Sequence, residues 1–142
     1  MSTQYPIQDL FVKTLAASQA DGLTRWLALS DQDHLLRRFG LAEVVRVPAG
    51  ADTGLRLREV ADEVWALIEG QVEFVWRDVR SASPTHDHRH RLTCSQPTLV
   101  LVPFGVAFGV RSLNSAALLL RLATHVDGAH QGDRSMPWEA AG

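Results

Sequence analysis

The chain has 142 residues, 46% of them hydrophobic and 21% charged, with a formal net charge of −2 at pH 7, which is typical of one globular domain. The small net charge and the lack of any Lys/Arg-rich block argue against nucleic acid and membrane surfaces as partners. The lone Cys94 cannot form an internal disulfide, and the N-terminus MSTQYPIQDL is unlike a signal peptide, so a cytoplasmic location is expected.

Residues 1–40 are predicted to form an arm that contributes to a barrel or to a dimer. Its segment 9–22, DLFVKTLAASQADG, fits either a short helix or an irregular arm, and Asp21-Gly22 interrupts it. From about Leu41 the pattern changes to short runs rich in Val, Leu and aromatic residues, separated by turn residues. The predicted strands lie in AEVVRV, GLRLR, EVWALIE, QVEFVWRDV, TLVLV, VAFGVRSL and AALLLRLAT.

Short strands at this spacing predict an all-β, single-domain antiparallel sandwich or barrel of the jelly-roll type. The barrel is expected to occupy residues 41–126. Residues 127–142 have a turn-rich composition and are predicted to form a C-terminal tail over the surface of the barrel.

Residues 50–70 carry the spacing of a cupin motif in which a metal is usually bound. The motif runs Gly, five residues, His-x-His, three or four residues, Glu, six residues, Gly, and Gly50, Glu63 and Gly70 match it without a gap. The two histidine positions are Arg56 and Arg58. Alternate residues of a strand share a face, so the motif brings these side chains together inside the barrel.

A second cupin motif begins at Pro103-Phe104-Gly105, and its histidine position is Phe108. Arginine has no lone pair to donate and stays protonated, and phenylalanine offers no ligand atom, so only Glu63 remains as a metal ligand. One carboxylate does not hold a metal. The sequence therefore predicts no metal at the usual cupin site and no other cofactor.

Three segments resemble one branch of the cupins. Residues 78–85 (DVRSASPT) are similar to Asp-x-Arg-x-x-Ser-Pro-Thr, residues 102–109 (VPFGVAFG) to Ile-Pro-x-Gly-x-Ala-His-Gly, and residues 133–138 (DRSMPW) to Asp-Glu-x-Arg-x-Pro-Trp. These motifs are those of the dTDP-4-dehydrorhamnose 3,5-epimerase family of RmlC-like cupins. The resemblance implies a metal-independent cupin barrel, a double-stranded β-helix, that forms a homodimer.

The resemblance also implies that the catalytic groups of the family are not retained. The family's histidine base corresponds to Arg56, which cannot accept a proton near neutral pH. Its cationic lysine corresponds to Glu63, and its tyrosine acid corresponds to Leu120. We therefore expect the chain to lack the family's epimerase activity.

An electrostatic site is the function that remains. Two like charges about 6 Å apart at an effective dielectric of about 20 repel by about 3 kcal/mol, so paired inward arginines favour an anion between them. Glu63 would neutralise one of the two, which predicts a net positive pocket for a small anionic molecule, such as a sugar nucleotide or a sugar acid. The predicted ligand-binding residues are Arg56, Arg58, Trp65, Phe108 and Leu120, with the indole of Trp65 available for stacking on a sugar or base.

Three alternatives stay open. Leu55-Arg56-Leu57-Arg58 also fits an ordinary half-buried strand with leucines inward and arginines in water. An isomerase that acts on keto-sugars would use Glu63 as the catalytic base and Arg56 or Arg58 to stabilise an enolate. A structural or interaction dimer would have a filled barrel.

The histidines of Thr85-His86-Asp87-His88-Arg89-His90 are weak metal candidates. In an extended strand His86, His88 and His90 would share a face and bind zinc or nickel. The segment follows Ser-Ala-Ser-Pro and is flanked by charges, so a solvated loop is the expected structure.

Overall fold

The structure is a computed structural model that describes residues 5–128 and 130–141. Within these residues the chain forms twelve β-strands and two short 3-10 helices, Asp31–Asp33 and Trp138–Ala141. None of the helices in this part of the chain is long and apolar enough to cross a membrane. The strands are β1 (Phe11–Thr14), β2 (Ala17–Ala20), β3 (Leu23–Trp26), β4 (Leu41–Val47), β5 (Leu55–Leu57), β6 (Glu63–Glu69), β7 (Val72–Asp78), β8 (Arg89–Cys94), β9 (Thr98–Val102), β10 (Val106–Ser112), β11 (Ala117–Ala123) and β12 (Arg134–Met136).

Ten of these strands form two antiparallel five-stranded sheets. The first sheet has the order β1-β9-β6-β11-β4, and the second has the order β12-β5-β10-β7-β8. All seven strands predicted from the sequence are present, and the predicted all-β cupin jelly roll is confirmed. The arm and the tail each add an edge strand, because β1 pairs with β9 and β12 pairs with β5.

The inner faces of the two sheets pack against each other to form the core of the barrel. Trp65 of the first sheet contacts Phe108 of the second, with ring centroids 5.6 Å apart. Phe108 also packs on Phe74 at 5.7 Å and on Trp76 at 5.4 Å. Aromatic rings from both sheets therefore fill the middle of the barrel.

The outer faces are covered by segments from the two ends of the chain. On the first sheet, Leu15 and the partly buried residues of 28–36 pack against Val64, Ala66 and Leu99. On the second sheet, Trp138 packs against Leu55, Val75 and Ala107. Each five-stranded sheet is thus apolar on both sides near its middle, which explains why central strands such as β6, β9 and β10 contain near-continuous hydrophobic runs.

The helix that the arm sequence allows is not present. Residues 17–26 instead form a hairpin, β2–β3, that belongs to neither five-stranded sheet. Its two-residue loop is Asp21-Gly22, and both residues have positive φ angles, 56° and 76°. An Asp-Gly pair is a strong hairpin signal because both residues tolerate the left-handed backbone that such a loop requires.

Candidate functional site

Arg56 and Arg58 turn towards the inside of the barrel. Arg56 is the cross-strand partner of Phe108, and such partners share a face of the sheet. Leu55 and Leu57 point the other way and are buried on the outer side, where the C-terminal tail covers the sheet. The alternative in which the leucines of this strand face the core and the arginines face solvent is therefore wrong.

Arg58 is buried and fully engaged. Its Nη1 donates to Glu63 Oε2 at 2.5 Å and to Asp127 Oδ1 at 3.1 Å, and its Nε donates to Asp133 Oδ2 at 3.1 Å. Its Nη2 donates to the two backbone carbonyls of residues 125–126. Because every nitrogen of this guanidinium group already has an acceptor, a ligand can bind Arg58 only by replacing one of these acceptors.

The carboxylate of Glu63 lies at the centre of a buried charge cluster. It accepts hydrogen bonds from Arg58, from Arg121 Nη2 at 2.7 Å and from Trp65 Nε1 at 2.9 Å. Burial raises the pKa of Glu63, but the hydrogen bonds and charges of Arg121, Trp65 and Arg58 outweigh this effect and hold the pKa below its usual value. A low pKa and three bound donors make this carboxylate a poor general base.

Arg121 is a member of the site that the sequence reasoning missed. Its side chain is completely buried, and it donates to Glu63, to both carboxylate oxygens of Asp127 and to Glu43 Oε1 at 3.1 Å. Burial lowers its pKa, but Glu63 and Asp127 more than compensate, so the pKa is raised. An arginine within the apolar run ALLLRLA was the available signal, since a charge there is buried only when it is paired.

Leu120 is not brought to this site. It alternates with Arg121 along β11, so its side chain projects from the opposite face of the first sheet. There it packs in the apolar cluster of Val64, Ala66 and Leu99. The motif comparison aligned the family's tyrosine with Leu120, whereas the side chain that faces the inside of the barrel belongs to the next residue, Arg121.

Trp65 and Phe108, also predicted to line the pocket, lie in the packed core beneath the charge cluster. Their exposed fractions are 3% and 4%, and each ring is enclosed by other aromatic or apolar side chains. The guanidinium carbon of Arg121 lies 5.9 Å from the ring centroid of Trp65. Trp65 therefore supports the cluster from below rather than presenting a free face for stacking.

An open cavity of about 210 Å³, called here the barrel mouth, borders the charge cluster. Its charged lining consists of Arg56, Arg58, Arg134, Asp127 and Asp133, three arginines against two carboxylates. The side chain of Arg56 is 35% exposed, and Asp127 Oδ1, at 3.1 Å, is its one ion-pair partner among the described residues. Of the predicted ligand-binding residues, Arg56 and Arg58 alone line this cavity.

The three histidines considered as metal ligands do not converge. His86 and His88 lie in the loop before β8, where their Nδ1 atoms bond the backbone oxygens of Arg80 and Pro6. His90 lies in β8 and stacks on Trp76 with ring centroids 5.3 Å apart. In residues 5–128 and 130–141, no group of three or more His, Cys, Asp or Glu side chains is placed to hold a metal ion.

No protein-family model and no curated protein sequence matches the chain. Solved structures do match. A dTDP sugar isomerase from Desulfovibrio desulfuricans G20 superposes with a TM-score of 0.85 at 19% identity, over 98% of this chain and 90% of that one. A dTDP-4-dehydrorhamnose 3,5-epimerase from Bacillus anthracis str. Ames superposes with a TM-score of 0.82 at 18% identity, over 95% of this chain and 82% of that one.

A further match is a double mutant of ChmJ, a 3'-monoepimerase from Streptomyces bikiniensis, solved with dTDP; the TM-score is 0.84 at 16% identity, over 95% of this chain and 72% of that one. These identities are too low to transfer an activity, but the superpositions cover nearly the whole chain. The chain therefore has the RmlC-like cupin fold of the dTDP-4-dehydrorhamnose 3,5-epimerase family, as its sequence motifs predict.

Proposed function

We propose that the protein is a metal-independent cupin that binds a small anionic molecule at the barrel mouth and does not catalyse the epimerisation of its structural relatives. The observation that carries this proposal is the position of Arg56. Its guanidinium group faces inward, borders an open cavity and remains one-third exposed. Structural relatives from three organisms were solved with the nucleotide diphosphate or a dTDP-sugar, which supports an anionic, carbohydrate-related ligand.

The size of the cavity favours a compact anionic group. Its volume of about 210 Å³ is below the range of about 300–1,000 Å³ that encloses drug-sized ligands. A sugar acid, or the phosphate end of a sugar nucleotide whose remainder stays in solvent, fits this volume. The planar guanidinium of Arg56 can bind either group through two parallel hydrogen bonds, and Ser135 adds a hydroxyl to the lining.

The absence of epimerisation rests on the groups that occupy the family's catalytic positions. Proton abstraction next to a keto group needs a base with a pKa near the working pH and a cation for the enolate oxygen. Arg56, at the position of the base, stays protonated. Glu63, the one acidic candidate, is held ionised by its donors at a lowered pKa.

Replacing Arg56 with alanine is expected to weaken binding of the tightest ligand in a panel of sugar acids and sugar nucleotides by about tenfold or more, because a charge-assisted hydrogen bond is lost. Calorimetric titration at low ionic strength measures the change. The matched control is Arg46→Ala, which removes an exposed arginine from β4 and should leave the affinity unchanged. Equal affinity of wild type and Arg56→Ala, or no binding by any member of the panel, would contradict the proposal.

A second candidate function is a structural or interaction homodimer with a filled barrel. It is favoured by the packed aromatic core and by the apolar side chains left exposed beside the first sheet. The hairpin presents Leu23, Trp26 and the adjoining Leu27 with exposed fractions of 52%, 47% and 70%, and Ile68 of β6 is 45% exposed. An isolated hairpin is marginally stable in water, so a second copy of the chain is the expected cover.

Replacing Leu27 with aspartate is expected to shift the protein from dimer to monomer, because it places a charge within the apolar patch. Light scattering coupled to size-exclusion chromatography measures the mass. The control is Phe104→Asp, which introduces the same charge at an exposed residue in the β9–β10 turn, away from the hairpin. A monomeric wild type, or a dimer that both variants leave intact, would contradict this arrangement.

A further inference from the structure

Asp127 occupies the point at which three guanidinium groups converge. Its Oδ1 atom lies 3.1 Å from Arg56 Nη2, 3.1 Å from Arg58 Nη1 and 2.5 Å from Arg121 Nη2. No other oxygen in the described part of the chain forms ion pairs with all three arginines. This carboxylate thus stands where an oxyanion of a ligand would make its strongest contacts.

The two carboxylates of the cluster differ in how firmly they are held. The side chain of Glu63, the first residue of β6, is 7% exposed, whereas the side chain of Asp127 is 46% exposed and borders the open cavity. Glu63 therefore keeps Arg58 and Arg121 partly neutralised whether or not Asp127 is in place. Asp127 alone combines a central position with access to solvent.

The loop that carries Asp127 is anchored on both sides of that residue. The backbone carbonyls of residues 125–126 accept hydrogen bonds from Arg58, and Asp133 binds both Arg58 Nε and the backbone N–H of Glu59. Gly128 follows directly with a φ of 75°, and the space where a side chain would stand is open. The loop is therefore held in place by contacts that do not involve the Asp127 side chain.

One N–H group of the cluster has no hydrogen-bond acceptor. Arg121 Nε is buried and has no hydrogen-bond partner within the described residues. A single carboxylate does not saturate three arginines, whereas an oxyanion with more acceptor atoms, such as a phosphate monoester, satisfies more of their N–H groups. The shared chemistry of the expected ligands is a terminal oxyanion, either a phosphate or a sugar carboxylate.

We propose that Asp127 is an internal occupant of the anion site, and that a ligand binds by displacing its carboxylate from Arg56, Arg58 and Arg121. This inference rests on the anion-binding function proposed above and recruits Arg121 to it. A carboxylate tethered by a short loop competes at an effective concentration of about millimolar or more. The measured affinity for an external anion is therefore reduced by the fraction of molecules in which Asp127 holds the site.

Replacing Asp127 with alanine is expected to tighten binding by about tenfold, because the internal competitor is removed while Glu63 stays in place. The probes are inorganic phosphate and D-glucuronate, titrated separately by calorimetry at low ionic strength; they distinguish a phosphate site from a carboxylate site. The control is Asp87→Ala, which removes the same charge from an exposed pair with Arg77 and should leave both affinities unchanged. Asp127→Asn, which keeps the shape of the side chain, should change affinity in the same direction.

The outcomes separate this inference from the function on which it rests. Tighter binding by Asp127→Ala and Asp127→Asn than by wild type supports both. Equal or weaker binding by the variants, with clear binding by wild type, overturns the displacement and leaves the anion-binding function intact. Binding by none of these proteins overturns both. Thermal unfolding of each variant establishes that it is folded, and the asparagine variant carries the test if the alanine variant does not fold.

Discussion

Glu63→Gln is expected to lower the free energy of unfolding by about 3 to 5 kcal/mol, the usual cost of breaking a buried ion pair from one side. Glutamine cannot neutralise Arg58 and Arg121, which are both buried beside it. Urea denaturation followed by tryptophan fluorescence measures the loss. Glu69→Gln makes the same chemical change at the exposed end of the same strand and should cost about 0.5 kcal/mol or less.

The same variant tests the alternative in which Glu63 is a catalytic base. Wild-type protein incubated with a keto-sugar nucleotide in D₂O is expected to incorporate no deuterium next to the keto group, because the carboxylate is saturated with donors and its pKa is lowered. Proton NMR of the sugar detects such exchange. Exchange by wild type that disappears in Glu63→Gln would establish the isomerase and contradict a purely binding function.

Asp78→Asn is expected to lower the free energy of unfolding by about 3 kcal/mol or more, because a fully buried charge partner is lost. Asp78 has no exposed surface, and it accepts bonds from Arg80 Nε at 2.9 Å, from the hydroxyl of Ser83 at 2.7 Å and from the hydroxyl of Thr85 at 2.6 Å. Asparagine has one acceptor oxygen and no charge, so part of this set is left unsatisfied. Urea denaturation at neutral pH gives the difference.

The stabilisation by Asp78 should also depend on pH in a defined direction. Burial raises the pKa of Asp78, but the bonds from Arg80, Thr85 and Ser83 outweigh it and hold the pKa far below its usual value. A group with a lower pKa in the folded state stabilises the fold fully above the unfolded pKa of about 4, and that contribution is lost as pH falls further. Wild-type stability should therefore decline below about pH 4, and the decline should be smaller in Asp78→Asn. An exposed control, Asp31→Asn, should keep the wild-type profile, and identical profiles for all three proteins would contradict the assignment.

The structure gives the DVRSASPT motif a physical role that its resemblance alone did not supply. Asp78 closes the β7–β8 loop on itself, and Arg80 then reaches the arm through Asp9 at 3.1 Å and the backbone oxygen of Gln8 at 3.0 Å. The backbone N–H of Gln8 in turn donates to Thr85. The DVRSASPT motif therefore fastens the N-terminal arm to the barrel.

The strands were predictable because each is a short apolar run with turn residues at its ends, and those runs coincide with the strands of the barrel. Five strands were not: β1 and β12 lie in segments predicted only as an arm and a tail, and β2, β3 and β8 lack an apolar run. β8 consists largely of polar and charged residues, and β2–β3 is exposed along its whole length, so neither carries the apolar pattern on which the prediction depended. For β2–β3 the Asp21-Gly22 pair was the better signal, and it was interpreted only as an interruption.

The candidate site was predictable only in part, for reasons that lie in its construction. The cupin spacing correctly indicated that Arg56, Arg58 and Glu63 lie near one another, because all three belong to one motif. Asp127 is separated from Arg56 by 71 positions along the chain, and no local pattern relates the two. An error of one residue in β11 exchanges Arg121 for Leu120, and in a strand one residue is the difference between the two faces of the sheet.

The covering of the second sheet by the tail has a consequence for how this chain tolerates change. Inward arginines in β5 require outward leucines, and those leucines are shielded from water by β12 and Trp138. Removal of the residues from Arg134 onward would expose an apolar strand edge, the kind of surface on which proteins self-associate. Removal from Asp133 onward would also take away the carboxylate that binds Arg58. The segment 133–138 and the charged mouth therefore depend on each other, because this one segment both covers the leucines of β5 and supplies Asp133 to Arg58.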